Sequence, residues 1–288
     1  MIIVTGATGK LGSQIIDQLL DRVPSDQVGV SVRDPARAGD LAARGVRVRH
    51  GDFSDPTSLA DAFAEATRVL IVSANSQGGD AIAKNCAAID AARAVGAERI
   101  FYTSHQGASA ESSFGPMPVH AATEQHLADT GTPYTALRHG FYASTIPLLL
   151  GQALETGEII APADGPVSWT THADLAEAAA ILLTGGLRFD GPTPPLTPAD
   201  AFDLDDIAQT LSEITGRIIR RIVTDDDDEW TATSVERGMP AAQATMMLGL
   251  YHAMRRREFA ATGPTLEHLL GRPATPVRST LETFAAPR

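Results

Sequence analysis

Residues 5–12 read TGATGKLG, and they follow the apolar run Ile2-Ile3-Val4. That run reads as a short buried strand. Behind the glycines, Leu11, Ile15, Ile16, Leu19 and Leu20 recur at helical spacing, so an amphipathic helix starts there. Gly6, Gly9 and Gly12 therefore lie in a strand–loop–helix turn. There Gly6 permits the tight turn, Gly9 lets backbone approach a pyrophosphate, and Gly12 lets the helix pack close to the strand. The helix N-terminus offers free N–H groups to an anion. The expectation is a dinucleotide site made by Gly6, Thr8, Gly9, Lys10, Leu11 and Gly12. The alternative is a glycine-rich turn with no ligand.

The same alternation continues outward from this loop. β-Branched runs at 28–32, 46–48, 69–72, 100–103 and 134–137 are separated by helical patterns, one of them near 118–130. Repeated βα units of this length predict an α/β fold, a doubly wound parallel sheet covered on both faces. Residues 1–150 are expected to form the nucleotide-binding domain, with a further strand and helix near 166–184. Residues 185–288 are expected to form a smaller lobe. The proline-rich stretch 191–200 is expected to be irregular. The acidic run 225–229 is expected to complement a helix N-terminus. No metal site is expected, because adjacent carboxylates on a helix point in different directions.

The 288 residues carry a formal net charge of −12. An acidic surface repels phosphate backbones, which argues against direct nucleic-acid binding. The single cysteine, Cys86, allows no intrachain disulfide and fits a reducing compartment. A core strand at Ile2 is expected to leave no room for a leader peptide, and no apolar run reaches membrane-spanning length. These readings predict a cytoplasmic protein, a monomer or homodimer, whose partner is a small molecule.

Strand ends should line the ligand cleft. The second strand ends SVRDP, with Arg33 followed by Asp34 and Pro35. An arginine there suits a ribose 2′-phosphate, whereas an acidic residue suits the free hydroxyl. Arg33 therefore favours NADP(H); the alternative has Asp34 bind the ribose of NAD. Asp52 and Phe53 close the third strand, Ser73 and Ala74 the fourth, and Thr103 and Ser104 the fifth. All six are candidate cofactor contacts.

Seven stretches carry a family resemblance: TGATGKLG, VRDP, VRHGDF, AVGAERIFYTS, HAATE, PYTALRHGFY and THADLAEAAA. On them the chain resembles atypical short-chain dehydrogenases/reductases of the NmrA-like family. The resemblance implies a Rossmann domain, a C-terminal substrate lobe and a cleft between them. The family includes reductases of quinones and triphenylmethane dyes. It also includes non-catalytic members that bind the dinucleotide and report redox state.

The wider superfamily uses a tyrosine and, four residues on, a lysine. This chain has two lysines, Lys10 in the glycine loop and Lys84. Where the pair belongs stand His120 and Glu124, one helical turn apart on one face. His120 is the candidate catalytic donor, expected to titrate near 6.5. Glu124 either orients it or pairs with Arg138 as a structural ion pair, leaving His120 to pack over the cofactor. Phe141, Tyr142 and Trp169 are candidate substrate contacts, with core packing as the alternative for each. Carbonyl reduction creates an alkoxide and needs a strong acid. A quinone, an extended enone or a cationic dye gives a stabilised anion or a neutral product. Hydride delivery to such an acceptor is the expected reaction, and redox sensing the alternative.

Overall fold

The computed structural model describes residues 1–186 and 188–286. Among these, the strands are β1 (Ile2–Thr5), β2 (Val28–Val32), β3 (Arg47–His50), β4 (Arg68–Ile71), β5 (Arg99–His105), β6 (Tyr134–His139), β7 (Phe141–Tyr142), β8 (Glu158–Pro162), β9 (Trp169–Thr170), β10 (Gly191–Pro192) and β11 (Arg220–Thr224). The earlier α-helices are α1 (Lys10–Leu20), α2 (Gly39–Ala43), α3 (Pro56–Ala62), α4 (Gly78–Ala94), α5 (Pro116–Asp129), α6 (Ile146–Leu150) and α7 (Ala153–Thr156). The later ones are α8 (His172–Leu183), α9 (Leu204–Thr215), α10 (Asp227–Glu236), α11 (Ala241–Arg255), α12 (Thr265–Leu270) and α13 (Val277–Ala285).

The main sheet has the order β10-β6-β5-β4-β1-β2-β3, and its ladders are parallel. Strand order reverses between β1 and β4, which opens the cleft above their carboxyl ends. This is the doubly wound Rossmann arrangement expected from the alternating pattern. Side chains alternate between two cores. Val4, Leu70, Phe101 and Leu137 pack with α1 and α8, while Ile3, Ile71, Tyr102 and Ala136 pack with α3 and α4. Four alanines of α8 (Ala176, Ala178, Ala179 and Ala180) are fully buried; their small side chains let α8 lie close along α1. Thr171 caps α8 by accepting from the Asp174 N–H.

A third core holds Phe141, Ile146, Ile159, Trp169, Met254 and Phe259. Packing thus groups most of residues 141–161 with the C-terminal helices, with Met117 joining that core and Tyr142 packing on the first one. The proline-rich stretch is not wholly irregular: Gly191 and Pro192 form β10 at the edge of the main sheet, against Thr135 and Ala136. An edge position tolerates a proline, which has no N–H for a central ladder. The acidic run begins α10 as expected. Asp226 caps it, accepting from the Asp228 and Glu229 amides. No cluster of three metal-ligating side chains occurs among the described residues. None of the described helices is long and apolar enough to cross a membrane.

Candidate active site

The glycine loop has the geometry that a dinucleotide requires. Gly6 sits at φ +61°, in the left-handed region that favours glycine. A Cβ on Gly12 would lie 2.2 Å from the Gly6 carbonyl oxygen, so helix and loop could not meet there with any side chain. Gly9 is the N-cap of α1 with no side-chain cap, and the first turn holds no acidic residue. The first amides of α1 are therefore left for an anion. Gly6, Thr8, Gly9 and Lys10 are exposed, while Leu11 and Gly12 are buried beneath them.

Arg33 is exposed just beyond β2, and its carbonyl oxygen bonds His50 Nδ1 at 3.0 Å. Asp34 is turned to local work: its carboxylate accepts from the Ala36 N–H at 3.1 Å, capping the short turn Pro35–Ala38. Asp52 accepts from the Ser54 N–H at 2.8 Å, and Phe53 leans half-buried on the core beneath α3. The end of β4 is pinned by its neighbours. Ser73 N–H donates to Thr103 Oγ1 and Ala74 N–H to Asn85 Oδ1, both at 2.9 Å. Thr103 and Ser104 are each 2% exposed, so their side chains brace the cleft floor. Taken together, the glycine cradle, the uncapped α1 and the exposed Arg33 fit NADP(H).

Glu124 does not orient His120. It is held by Arg138, which donates from Nε to Oε1 at 3.0 Å and from Nη2 to Oε2 at 2.6 Å. Ser104 Oγ adds a third bond to Oε1 at 2.5 Å. The partner of His120 is Tyr102, whose hydroxyl lies 2.9 Å from Nδ1. The chain of donors behind it is directed. The Ala74 amide fixes Asn85 Oδ1 as acceptor, so the Asn85 amide group donates to Tyr102 Oη at 3.2 Å. Where the Tyr102 hydroxyl donates to Nδ1, His120 carries its own proton on Nε2. Burial pushes His120 down to about 4 and raises the Tyr102 hydroxyl well above its ordinary value. The expected titration of His120 near 6.5 is thereby corrected: the ring is neutral, a donor rather than an acid.

Neither lysine reaches this helix face. Lys10 is exposed in the glycine loop, and Lys84 pairs with Asp80 at 2.7 Å on α4. Phe141 is 5% exposed and packs at 5.3 Å against His105. Tyr142 is half-buried, its ring 4.4 Å from His172. Trp169 is 1% exposed, and its indole N–H donates to the Phe202 carbonyl. The structure gives Trp169 to the core of the C-terminal lobe, not to a substrate surface.

Sequence reasoning missed Asn85, Tyr102, His105 and Phe259. For Asn85 a signal existed: it shares one face of α4 with Ala81, Ala88, Ile89 and Ala92, all buried. A polar residue on an apolar face is normally hydrogen-bonded. Phe259 gave no signal, since only folding brings it beside His105. A separate cavity of about 420 Å³, lined by Arg68, Arg99 and Phe189, lies at the amino ends of β4 and β5, away from the cleft. Its Arg99 is engaged by the carbonyls of Tyr134 and Phe189.

Residues 6–184 match the model of the NAD(P)H-binding family. The chain belongs to that family. Its place in the NmrA-like branch agrees with the motifs quoted above. Quinone oxidoreductase 2 of Escherichia coli strain K12 is 33% identical over 276 residues, 96% of this chain and 95% of that one. The crystal structure of the Escherichia coli NADPH-dependent quinone oxidoreductase complexed with NADPH superposes with a TM-score of 0.92. It is 31% identical and covers 99% of this chain and 100% of that one. The Citrobacter sp. triphenylmethane reductase complexed with NADP(H) gives a TM-score of 0.89 at 34% identity, over 99% and 100% of the two chains. The NAD(P)H azoreductase of Xenophilus azovorans is 29% identical over 95% of this chain and 94% of its own.

Proposed function

We propose that this NAD(P)H-dependent oxidoreductase reduces a quinone-like, conjugated or cationic small molecule, with NADPH as donor and without a tyrosine–lysine pair. One observation carries the reading. The helix position of that pair holds His120 and Glu124, and Glu124 is locked to Arg138 while His120 is kept neutral by burial. No group on this face can act as a strong acid, so the acceptor must be one that needs little proton donation.

Bound NADPH would supply the hydride. The glycine loop and the α1 amides would hold its pyrophosphate, and Arg33 its 2′-phosphate. His120 Nε2–H would hydrogen-bond an acceptor oxygen as negative charge develops there, and solvent would deliver the proton that completes a hydroquinone. The C-terminal lobe would exclude water and orient the acceptor. Names of the relatives support this class of acceptor: quinone, triphenylmethane dye and azo compound.

Anaerobic NADPH oxidation with a panel of quinones and cationic dyes tests the proposal. Turnover of at least one class is expected, with NADPH preferred over NADH. Tight NADPH binding with no turnover of any acceptor would replace it with a redox-sensing role.

A further inference from the structure

The proposed reaction uses one imidazole, but a second stands beside it. His105 ends β5, half-buried like His120. The two rings are nearly parallel, with centroids 6.2 Å apart and planes inclined by 25°. We propose that His105 is a second hydrogen-bond donor to the acceptor, so that His105 and His120 together hold one carbonyl oxygen. The inference rests on the reductase reading above and assigns its acceptor class: a flat molecule with an exposed carbonyl oxygen.

The tautomer of His105 follows from its backbone. The Gly107 amide donates to His105 Nδ1 at 3.1 Å. A nitrogen that accepts an N–H carries no proton of its own, so the proton of the neutral ring is on Nε2. Burial and the neighbouring His120 and His139 keep that ring neutral. Among the described residues no protein group is hydrogen-bonded to Nε2. His120 reaches the same state when the Tyr102 hydroxyl donates to its Nδ1. Two Nε2–H donors then arise from two unrelated anchors.

The surroundings fix the ring as well as the proton. Phe141 and Phe259 meet His105 edge-on, each at 5.3 Å with interplanar angles of 84° and 87°. Phe114 continues this wall, 5.9 Å from Phe141 and 6.0 Å from Phe259. Phe141 and Phe259 are buried and hold the His105 ring from behind, so half-buried Phe114 is the part of this wall left to meet a planar ring; the imidazoles suit that ring's oxygen, which has two lone pairs to accept both bonds. Donors preorganised in such apolar surroundings are worth more than donors in water. Hydride adds to the quinone, electrons move onto the oxygen held by the two rings, and solvent protonates the resulting hydroquinone anion. Neither histidine loses its proton.

The test compares wild type with His105→Leu, His105→Gln and His105→Asn. Duroquinone offers the carbonyl, and crystal violet is a cation whose reduction forms a C–H bond with no oxyanion. His105→Leu should lower kcat/KM for duroquinone about a hundredfold, the lower end for one lost oxyanion donor. The crystal violet rate and the NADPH Kd should be unchanged. Gln places an amide N–H where Nε2 was and should restore most of the duroquinone rate. Asn is too short to reach and should resemble Leu, and its polar side chain serves if Leu impairs folding. Infrared difference spectra of duroquinone on the NADP⁺-loaded enzyme add a readout without turnover. The bound carbonyl stretch should lie lower in wild type than in His105→Asn. Wild-type duroquinone turnover with equal rates and equal carbonyl frequencies in the variants would overturn the role of His105 alone. Equal losses on both acceptors would also overturn it, making His105 a packing residue. No quinone turnover and no carbonyl shift in wild type, with crystal violet still reduced, would overturn this inference alone; no turnover of either acceptor would overturn it and the reductase reading together.

Discussion

At the scale of single residues, the site separates donors from acids. His120 is pushed down to about 4 by burial, so it donates a hydrogen bond without titrating near neutrality. His120→Ala should slow quinone reduction by no more than about a hundredfold, the worth of one well-placed donor, and barely change reduction of a carbocationic dye. Wild-type kcat/KM should show no inflection from His120 between about pH 5.5 and 8, the range around the ordinary histidine titration. An inflection near about 6.5 that disappears in His120→Ala would show that the ring does titrate there. Arg33 would stand at the other end of a bound cofactor; it is exposed and faces no acidic partner in the hydrogen bonds of its loop. Arg33→Ala should weaken NADPH binding by roughly 1.5–3 kcal/mol, the scale of a hydrogen bond to a charged group, and leave NADH nearly unchanged. Calorimetric titration with both cofactors decides it; equal losses would move selectivity elsewhere.

At the scale of elements, ion pairs fasten neighbours whose apolar contact is incomplete. Glu124 on α5 and Arg138 on β6 form a two-pronged pair, with side chains 9% and 32% exposed. Glu124→Gln should cost about 3 kcal/mol of stability, the low end for breaking a buried pair, because Arg138 remains partly open. Unchanged melting with abolished turnover would instead make Glu124 catalytic. In the C-terminal lobe, Arg221 of β11 meets Asp164 at 3.1 Å, with side chains 1% and 7% exposed. Asp164 also accepts from the Leu204 amide at the start of α9, and Arg221 bonds the Ala161 carbonyl in β8. Removing Asp164 strands a buried guanidinium and should cost about 3–5 kcal/mol. An Asp164→Leu/Arg221→Met double variant should recover much of that, which denaturant midpoints would show.

For the whole molecule, the buried histidines couple folding to pH. Burial lowers His120 and His172 to about 4 and His139 to about 3. Their unfolded values lie near about 6.5. Below that value the unfolded chain binds protons that the folded chain refuses. Their stabilisation is therefore complete above about pH 6.5 and is lost as pH falls toward 4. Each such group contributes a slope of about 1.4 kcal/mol per pH unit within that window. Urea midpoints of the cofactor-free protein should fall from pH 6.5 to pH 5, before most carboxylates titrate. His139→Leu should reduce the slope by one proton, and an unchanged slope would mean that His139 is protonated in the fold.

The residues at 5–12 determined the nucleotide loop, because glycine spacing and the apolar runs on either side act within one turn of chain. The βα alternation determined the parallel sheet for a similar reason: periodicities of two and of 3.6 are local. Even the Glu124–Arg138 alternative was legible, since adjacent elements in a βα unit are neighbours in space. What surrounds His120 was not. Tyr102 reaches it from β5, Asn85 supports Tyr102 from α4, and Phe259 closes on His105 from beyond α11. The hydrogen bond between His120 and Tyr102 depends on how α5 seats over β5, which no spacing along the chain encodes. The choice between core and cleft for Trp169, and the edge strand at Gly191, escaped the sequence on the same ground. A tryptophan and a proline-rich run acquire their roles from what packs over them, and only the tertiary structure decides that.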